Sequence, residues 1–273
     1  MNSLMKQPIK PRGVLLAGNW KMNHLQKETI TFLGALAPAL KKNLDHSKAQ
    51  NAQMRLYVPA LSLETAIKKV KADSIPVQIG CQNAHYEKAG AFTGEISIPM
   101  LKEIGVDQVL VGHSERRQLF GETNETVLKR TVSALEQGME VLVCIGETLD
   151  ERNQGKMNAI LQAQLEQLLN HPTSSKAFGA KLHIAYEPVW AIGTGVTANP
   201  AQAAEAHAYI RKLLEKVSIA SANATRILYG GSVTPTNFKE LLSCPDIDGG
   251  LVGGASLKIE TWTSLWSLIN TTF

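Results

Sequence analysis

Short apolar runs recur at irregular intervals along the chain, at 14–19, 54–59, 77–83, 108–114, 140–147, 181–188, 226–232 and 249–256. Most are continuous rather than alternating, the pattern of parallel strands buried on both faces. Between them the apolar positions fall at helical spacing. Thr126, Val127, Arg130, Ala134 and Leu135 outline one such segment. Ile160, Leu161, Leu165 and Leu168 outline a second, and Ala203, His207, Ile210, Leu213 and Leu214 a third. Trp262, Leu265, Trp266 and Ile269 predict a closing helix over 259–273. Repeated strand-then-helix units make a parallel sheet, and no polar or Pro/Gly-rich linker divides the series. The prediction is therefore an α/β protein, a closed (β/α)8 barrel forming a single domain over 13–273. Residues 1–12 precede it as an N-terminal extension, and the polar stretch 43–53 reads as a surface loop.

Composition narrows this further. The chain has 273 residues, within the reach of one α/β barrel of about 250 residues. Apolar residues make up 44% and charged residues 19%, which excludes a disordered or collagen-like chain. Lys and Arg total 28 against 24 Asp and Glu, a formal charge of +4. So small and scattered an excess does not point to nucleic acid or a membrane surface, although one well-placed Lys can serve an anionic substrate. Cys81, Cys144 and Cys244 are far apart and form no C-x-x-C pair, so neither a disulfide framework nor a structural zinc is expected. No run approaches the ~18 apolar residues of a membrane helix, and the basic, proline-containing start lacks the apolar core of a secretory signal. A soluble protein of the reducing cytoplasm is the expectation.

The polar residues gain meaning from the barrel, whose functional groups sit on the loops after the strands. Asn19 and Lys21 follow the first run, His113 the fourth, Glu187 the sixth and Ser232 the seventh. Gly230-Gly231 and Gly253-Gly254 follow the last two, where backbone amides can approach an anion. One rim thus combines a base, an acid or electrophile, a cation and a phosphate cradle. Tight turns alone would also explain the glycines, but both motifs on adjacent final strands favour phosphate. His113 ends an apolar strand just before a charged helix start, where the positive helix end disfavours imidazolium. A Glu ending the run at 187 is too costly to bury without use, and Pro188 stiffens its exit. Ser114 belongs to no nucleophile elbow, because Arg116 stands where G-x-S-x-G needs glycine. Ser114, Glu115 and Cys144 are expected to stand behind the reacting groups. Gly193-Thr-Gly195-Val-Thr-Ala198 matches the dinucleotide pattern G-x-G-x-x-A. It lacks the strand-to-helix turn and the following acidic residue of a true fingerprint. The better reading is a lid formed by Trp190, Ala191, Ile192, Gly193, Thr194, Gly195, Val196, Thr197 and Ala198. No His/Asp/Glu spacing suggests a metal, and no cofactor is expected.

Six stretches carry a resemblance to one family: Gly18-Asn-Trp-Lys-Met-Asn23, Gly90-Ala-Phe-Thr-Gly-Glu95, Gly112-His-Ser-Glu-Arg-Arg117, Ala185-Tyr-Glu-Pro-Val-Trp-Ala-Ile-Gly-Thr-Gly195, Tyr229-Gly-Gly-Ser-Val233 and Leu251-Val-Gly-Gly-Ala-Ser256. The chain resembles the triosephosphate isomerase family from about Gly13 onward. Val196 stands where Lys is common in that family, Cys81 replaces a usual Ala, and the N-terminal extension is longer. The resemblance implies interconversion of dihydroxyacetone phosphate and D-glyceraldehyde 3-phosphate in glycolysis and gluconeogenesis. It implies Glu187 as proton acceptor, His113 as neutral electrophile, and Lys21 and Asn19 beside the substrate oxygens. Gly193, Ser232, Gly253 and Gly254 would join them in holding phosphate. It also implies a homodimer contacted through Thr93, Glu95 and Arg117, with Glu95 and Arg117 forming an ion pair. Three rivals remain at this stage: another phosphate-binding barrel enzyme, a silent barrel used as a scaffold, and a nicotinamide-dependent oxidoreductase.

Overall fold

In the computed structural model, which describes residues 12–43, 52–192 and 198–272, the apolar runs become eight parallel strands. These are β1 (Val14–Asn19), β2 (Ala52–Val58), β3 (Gln78–Cys81), β4 (Gln108–Val111), β5 (Glu140–Ile145), β6 (Leu182–Tyr186), β7 (Ile227–Tyr229) and β8 (Gly249–Val252). They pair in chain order, and β8 returns to β1 through the register Leu15↔Gly249 to Gly18↔Val252, which closes the barrel. Closure removes the edges, so among the described residues no strand of the barrel exposes an unpaired backbone ladder. The result is the single-domain (β/α)8 barrel expected from the pattern.

Both faces of the strands are buried, as their continuous apolar character requires. Inside lie Leu15, Ala17, Tyr57, Leu110, Leu142, Cys144, Ala185, Leu228 and Leu251. Outside, the second set of strand residues packs with the helices, among them Leu161, Leu165 and Leu168, and Ile210, Leu213 and Leu214. The helical spacings fall within the helices Asn124–Glu136, Met157–Asn170, Pro200–Glu215 and Ile259–Thr272. Pro200 occupies the first turn of its helix and Asn199 caps it, accepting the Gln202 N–H at 2.8 Å. Gly80 makes room inside the barrel, since a Cβ there would lie 2.7 Å from the Tyr57 ring.

Strand pairing ends earlier than the apolar runs. The run 108–114 leaves the ladder after Val111 and 226–232 after Tyr229. Barrel strands diverge toward the rim, so the last residues of each run leave the sheet for loops that still face the interior. Most of the predicted loop 43–53 lies outside the described residues, as does the extension except Arg12. Arg12 donates from Nε to the fully buried Asp248 at 2.7 Å and from Nη2 to the Pro245 carbonyl at 2.7 Å. That contact ties the start of the chain to the lower end of the barrel.

Candidate active site

β1 delivers Asn19 at its last position, and Lys21 follows two residues later with φ +52°. A left-handed backbone is unusual for a residue with a Cβ and costs on the order of 1 kcal/mol. Two contacts hold it. The Lys21 N–H donates to Asn19 Oδ1 at 2.9 Å, and the Lys21 carbonyl accepts from Gln82 Nε2 at 2.7 Å. The Lys21 ammonium reaches Glu115 Oε1 at 2.5 Å.

His113 and Glu187 meet across the barrel mouth. His113 caps the helix Ser114–Leu119, its Nδ1 accepting the Glu115 N–H at 3.2 Å. That leaves the proton on Nε2, which faces Glu187 Oε1 at 2.9 Å. The other carboxylate oxygen accepts the Ser114 N–H at 2.9 Å. Burial alone would raise the Glu187 carboxyl, but His113, the Ser114 N–H and Lys21 together hold it below the ordinary glutamate value. Burial pulls the His113 ring down while the Glu187 and Glu115 carboxylates pull it up, and with Glu187 in contact the balance lies upward. The hydrogen bonds nevertheless describe a neutral ring. Protonated Nδ1 would point N–H against N–H, at the positive end of a helix.

These groups line one cavity of about 440 Å³ with Ile192, Gly230, Gly231, Ser232, Gly253 and Gly254. A Cβ on Gly253 would lie 3.4 Å from the Lys21 side chain, and one on Gly254 would meet nothing within 4 Å. The Gly253-Gly254 turn is therefore open to the cavity and adjacent to the cation, whereas a Cβ on Gly231 would lie 2.3 Å from the Tyr229 phenol oxygen. Of the residues expected to form a lid, Gly193, Thr194, Gly195, Val196 and Thr197 lie outside the described residues. The segment before them is anchored: Val189–Ala191 form a short 3-10 turn, and the Trp190 indole donates to Glu147 Oε1 at 3.1 Å. At its far end Ala198 is buried and its backbone reaches the Tyr229 phenol, which burial pushes up to about 12 against that contact.

Among the residues expected behind the site, Ser114 acts through its backbone N–H and Glu115 through the Lys21 ion pair. Cys144 is fully buried, and burial together with the Glu187 carboxylate holds its thiol well above the ordinary value. It is a packed thiol. The expected Glu95–Arg117 ion pair is not made within the chain. Arg117 is spent on the Gly112 and Cys144 carbonyls and Asn124 Oδ1, while Glu95 pairs with Arg130 at 3.4 Å. Thr93 sits on the exposed turn between Gly90 and Glu95. Three residues with clear roles escaped the sequence reading: Gln82, Glu147 and Gly146. Gln82 immediately follows β3, so the rule that found His113 and Glu187 also points to it. Glu147 is fully buried and accepts from both Tyr186 and Trp190. Among the described residues, no group of three His, Cys, Asp or Glu is placed to hold a metal ion, and no helix is long and apolar enough to cross a membrane.

Fold and site together define a (β/α)8-barrel protein with a carboxylate–imidazole pair, an ammonium and glycine turns around one cavity at its C-terminal rim. Comparison with known proteins sharpens this. The family model for triosephosphate isomerase matches residues 14–270. The triosephosphate isomerase of Solibacter usitatus is 46% identical over 262 residues, 96% of this chain and 99% of that protein. That of Cytophaga hutchinsonii is 47% identical over 248 residues, 90% of this chain and 95% of that protein. That of Aquifex aeolicus is 43% identical over 251 residues, 92% of this chain and 97% of that protein. The chain belongs to the triosephosphate isomerase family.

Proposed function

We propose that the protein interconverts dihydroxyacetone phosphate and D-glyceraldehyde 3-phosphate through an enediolate. The observation that carries this is the 2.9 Å approach of Glu187 Oε1 to His113 Nε2 in the cavity that also holds Lys21 and the glycine turns. A triose inserted between these two side chains meets a carboxylate on its carbon side and an N–H donor on its oxygen side. Glu187, kept ionised by its donors, takes a proton from one carbon and returns it to the next. The neutral His113 ring donates from Nε2 to the carbonyl oxygen. It shuttles the hydroxyl proton between the two oxygens, its acidity better matched to an enediol than that of imidazolium. Lys21 supplies fixed positive charge to the phosphate and the developing oxyanion. With its Oδ1 turned to Lys21, Asn19 offers its amide N–H to the substrate oxygen. The backbone amides of Gly193, Ser232, Gly253 and Gly254 hold the phosphate. Every proton that leaves returns, and the oxidation of one carbon is matched by the reduction of its neighbour, so the reaction balances without a cofactor. The lid 190–198 closes over the site, excludes water and keeps the enediolate from losing phosphate.

This chemistry belongs to glycolysis and gluconeogenesis. The thiols Cys81, Cys144 and Cys244 fit the reducing cytoplasm. A homodimer completes the reading. Exposed Met22 and Phe120 line a hollow beside Lys21, and a second hollow shares its Gln82, Asn83 and Arg116. The Thr93 turn of a second copy is the occupant this surface suits. A monodisperse, fully active monomer at assay concentration, measured by light scattering, would contradict the dimer.

A coupled assay with both triose phosphates, run in each direction, tests the activity. Glu187→Asp and His113→Gln should fold normally by circular dichroism while kcat falls ~10²–10⁴-fold. Absence of turnover in the unaltered protein, or undiminished turnover in both variants, overturns the proposal.

A further inference from the structure

We propose that Gln82 is a positioning residue, whose side-chain amide fixes both the backbone of Lys21 and the side chain of Asn19. Gln82 is the first residue past β3 and lies outside the resemblance motifs. Its Nε2 faces three acceptors: the Lys21 carbonyl at 2.7 Å, the Tyr57 carbonyl at 3.2 Å and Asn19 Oδ1 at 3.3 Å. An amide has two hydrogens for these three oxygens, so the short bond to Lys21 is the anchor and the longer two are shared.

What is anchored is the one strained position among the reacting residues. Trp20, just before Lys21, is held by its N–H on the Tyr57 carbonyl at 3.1 Å and by its buried ring. Asn23, two residues after Lys21, donates to the Trp20 carbonyl at 2.7 Å. Lys21 itself, at φ +52°, is held by Asn19 Oδ1 on its N–H and by Gln82 on its carbonyl. Without the Gln82 donor, the peptide after Lys21 can relax toward negative φ. That rotation re-aims the Cα–Cβ bond and takes the ammonium away from Glu115 and from Gly253. The second contact orients the Asn19 amide. An oxygen already accepting from Lys21 and Gln82 leaves Nδ2 on the cavity side. Tyr57 ties this arrangement to the barrel interior, because its carbonyl accepts from both Trp20 and Gln82.

The inference rests on the proposed isomerase reading, and a double-mutant cycle tests it separately. Gln82→Met keeps the length of the side chain and removes its donors. Misplacing a charged group by about 1 Å costs roughly 100-fold in kcat/KM, so this loss is expected when Lys21 is present. In a Lys21→Ala background the same change should cost much less, about 10-fold or below, because the Asn19 side chain is then the only reacting group left for Gln82 to orient. Equal losses in both backgrounds mean a general structural role and overturn the proposal. Gln82→Glu places acceptors against the same three oxygens and serves in the cycle if the Met variant does not fold. It should show the same non-additivity. Titration calorimetry with inorganic phosphate gives a readout independent of turnover. Phosphate affinity should fall in Gln82→Met and be insensitive to Gln82 once Lys21 is Ala. If the unaltered protein binds phosphate in this pattern but turns over neither triose phosphate, the functional reading fails and the positioning role stands. If phosphate affinity is unchanged in Gln82→Met, the positioning role fails whatever the activity.

Discussion

At single residues, the site depends on atoms that are missing as much as on those present. A Cβ built on Gly146 would lie 1.7 Å from the Glu187 carbonyl oxygen. Gly146 cannot retreat, because Gln164 grips it on both sides, accepting its N–H at 2.8 Å and donating to its carbonyl at 2.9 Å. Gly146→Ala therefore drives backbone against backbone where β5 and β6 leave the barrel. We expect a loss of about 2 kcal/mol or more in urea denaturation and roughly 100-fold lower kcat as Glu187 is displaced. Wild-type values in both would show that the strand ends part freely. Gly254, whose added Cβ meets nothing, controls for crowding in the denaturation measurement alone, since it also lines the cavity. The contrast also marks what was legible in the sequence. Glu187 and His113 announce themselves, because a titratable side chain ending an apolar run is conspicuous. Gly146 does not, because nothing in a strand's own sequence tells how closely its neighbour passes. Gln82 carries no charge to draw notice, and Glu147 gains its meaning from Tyr186 and Trp190, which belong to a different unit of the barrel.

Among the secondary-structure elements, the apolar runs located all eight strands and overran most of their C-terminal ends. β4 stops pairing at Val111 and β6 at Tyr186, yet the buried character continues through His113 and Glu187. The overrun has a physical origin. The loops that build the site face the interior, so burial outlasts hydrogen-bonded pairing. For the same reason the runs led to the rim that carries the cavity even where they misjudged the ladder. Side-chain pairing within the chain follows contacts that spacing does not show. The Glu95–Arg117 pair belongs to the expected dimer interface, and within one chain Glu95 has another partner. The helix Asn124–Glu136 instead brings Arg130 alongside, where it also bonds the Ala84 carbonyl at 2.6 Å. Arg117 turns inward and joins the end of β4 to the end of β5 through two carbonyls. Sequence spacing does not reveal such contacts with backbone carbonyls.

For the molecule as a whole, closing the barrel creates two ends with opposite demands. The upper end gathers charge around a cavity. The lower end must seal the interior, and it does so with polar groups: Arg55 is fully buried and reaches Glu140 at 2.6 Å and Gln78 at 2.9 Å. His183 lies in this lower layer with 1% exposure. Its Nδ1 accepts the Arg226 N–H at 3.2 Å, and the Arg226 guanidinium lies 3.2 Å from Nε2. Burial, then the charges of Arg226 and Arg55, push the ring down to about 3. The unfolded chain, by contrast, protonates this ring near the ordinary value of about 6.5. Above that value neither state binds the proton and the residue has no pH effect. As pH falls below it, the unfolded state takes up a proton that the folded state refuses, so stability drops by about 1.4 kcal/mol per pH unit down toward pH 3. His183→Gln keeps an acceptor for the Arg226 N–H and cannot titrate. Urea denaturation of both proteins between about pH 7.5 and pH 5 should give a constant difference above about pH 6.5. Below it, the unaltered protein should lose stability faster than the variant. A difference that stays flat through the acidic range would mean that the folded barrel accepts the charge on His183, and that its lower end is far more open to water than the packing of Arg55 and Arg226 around the ring implies.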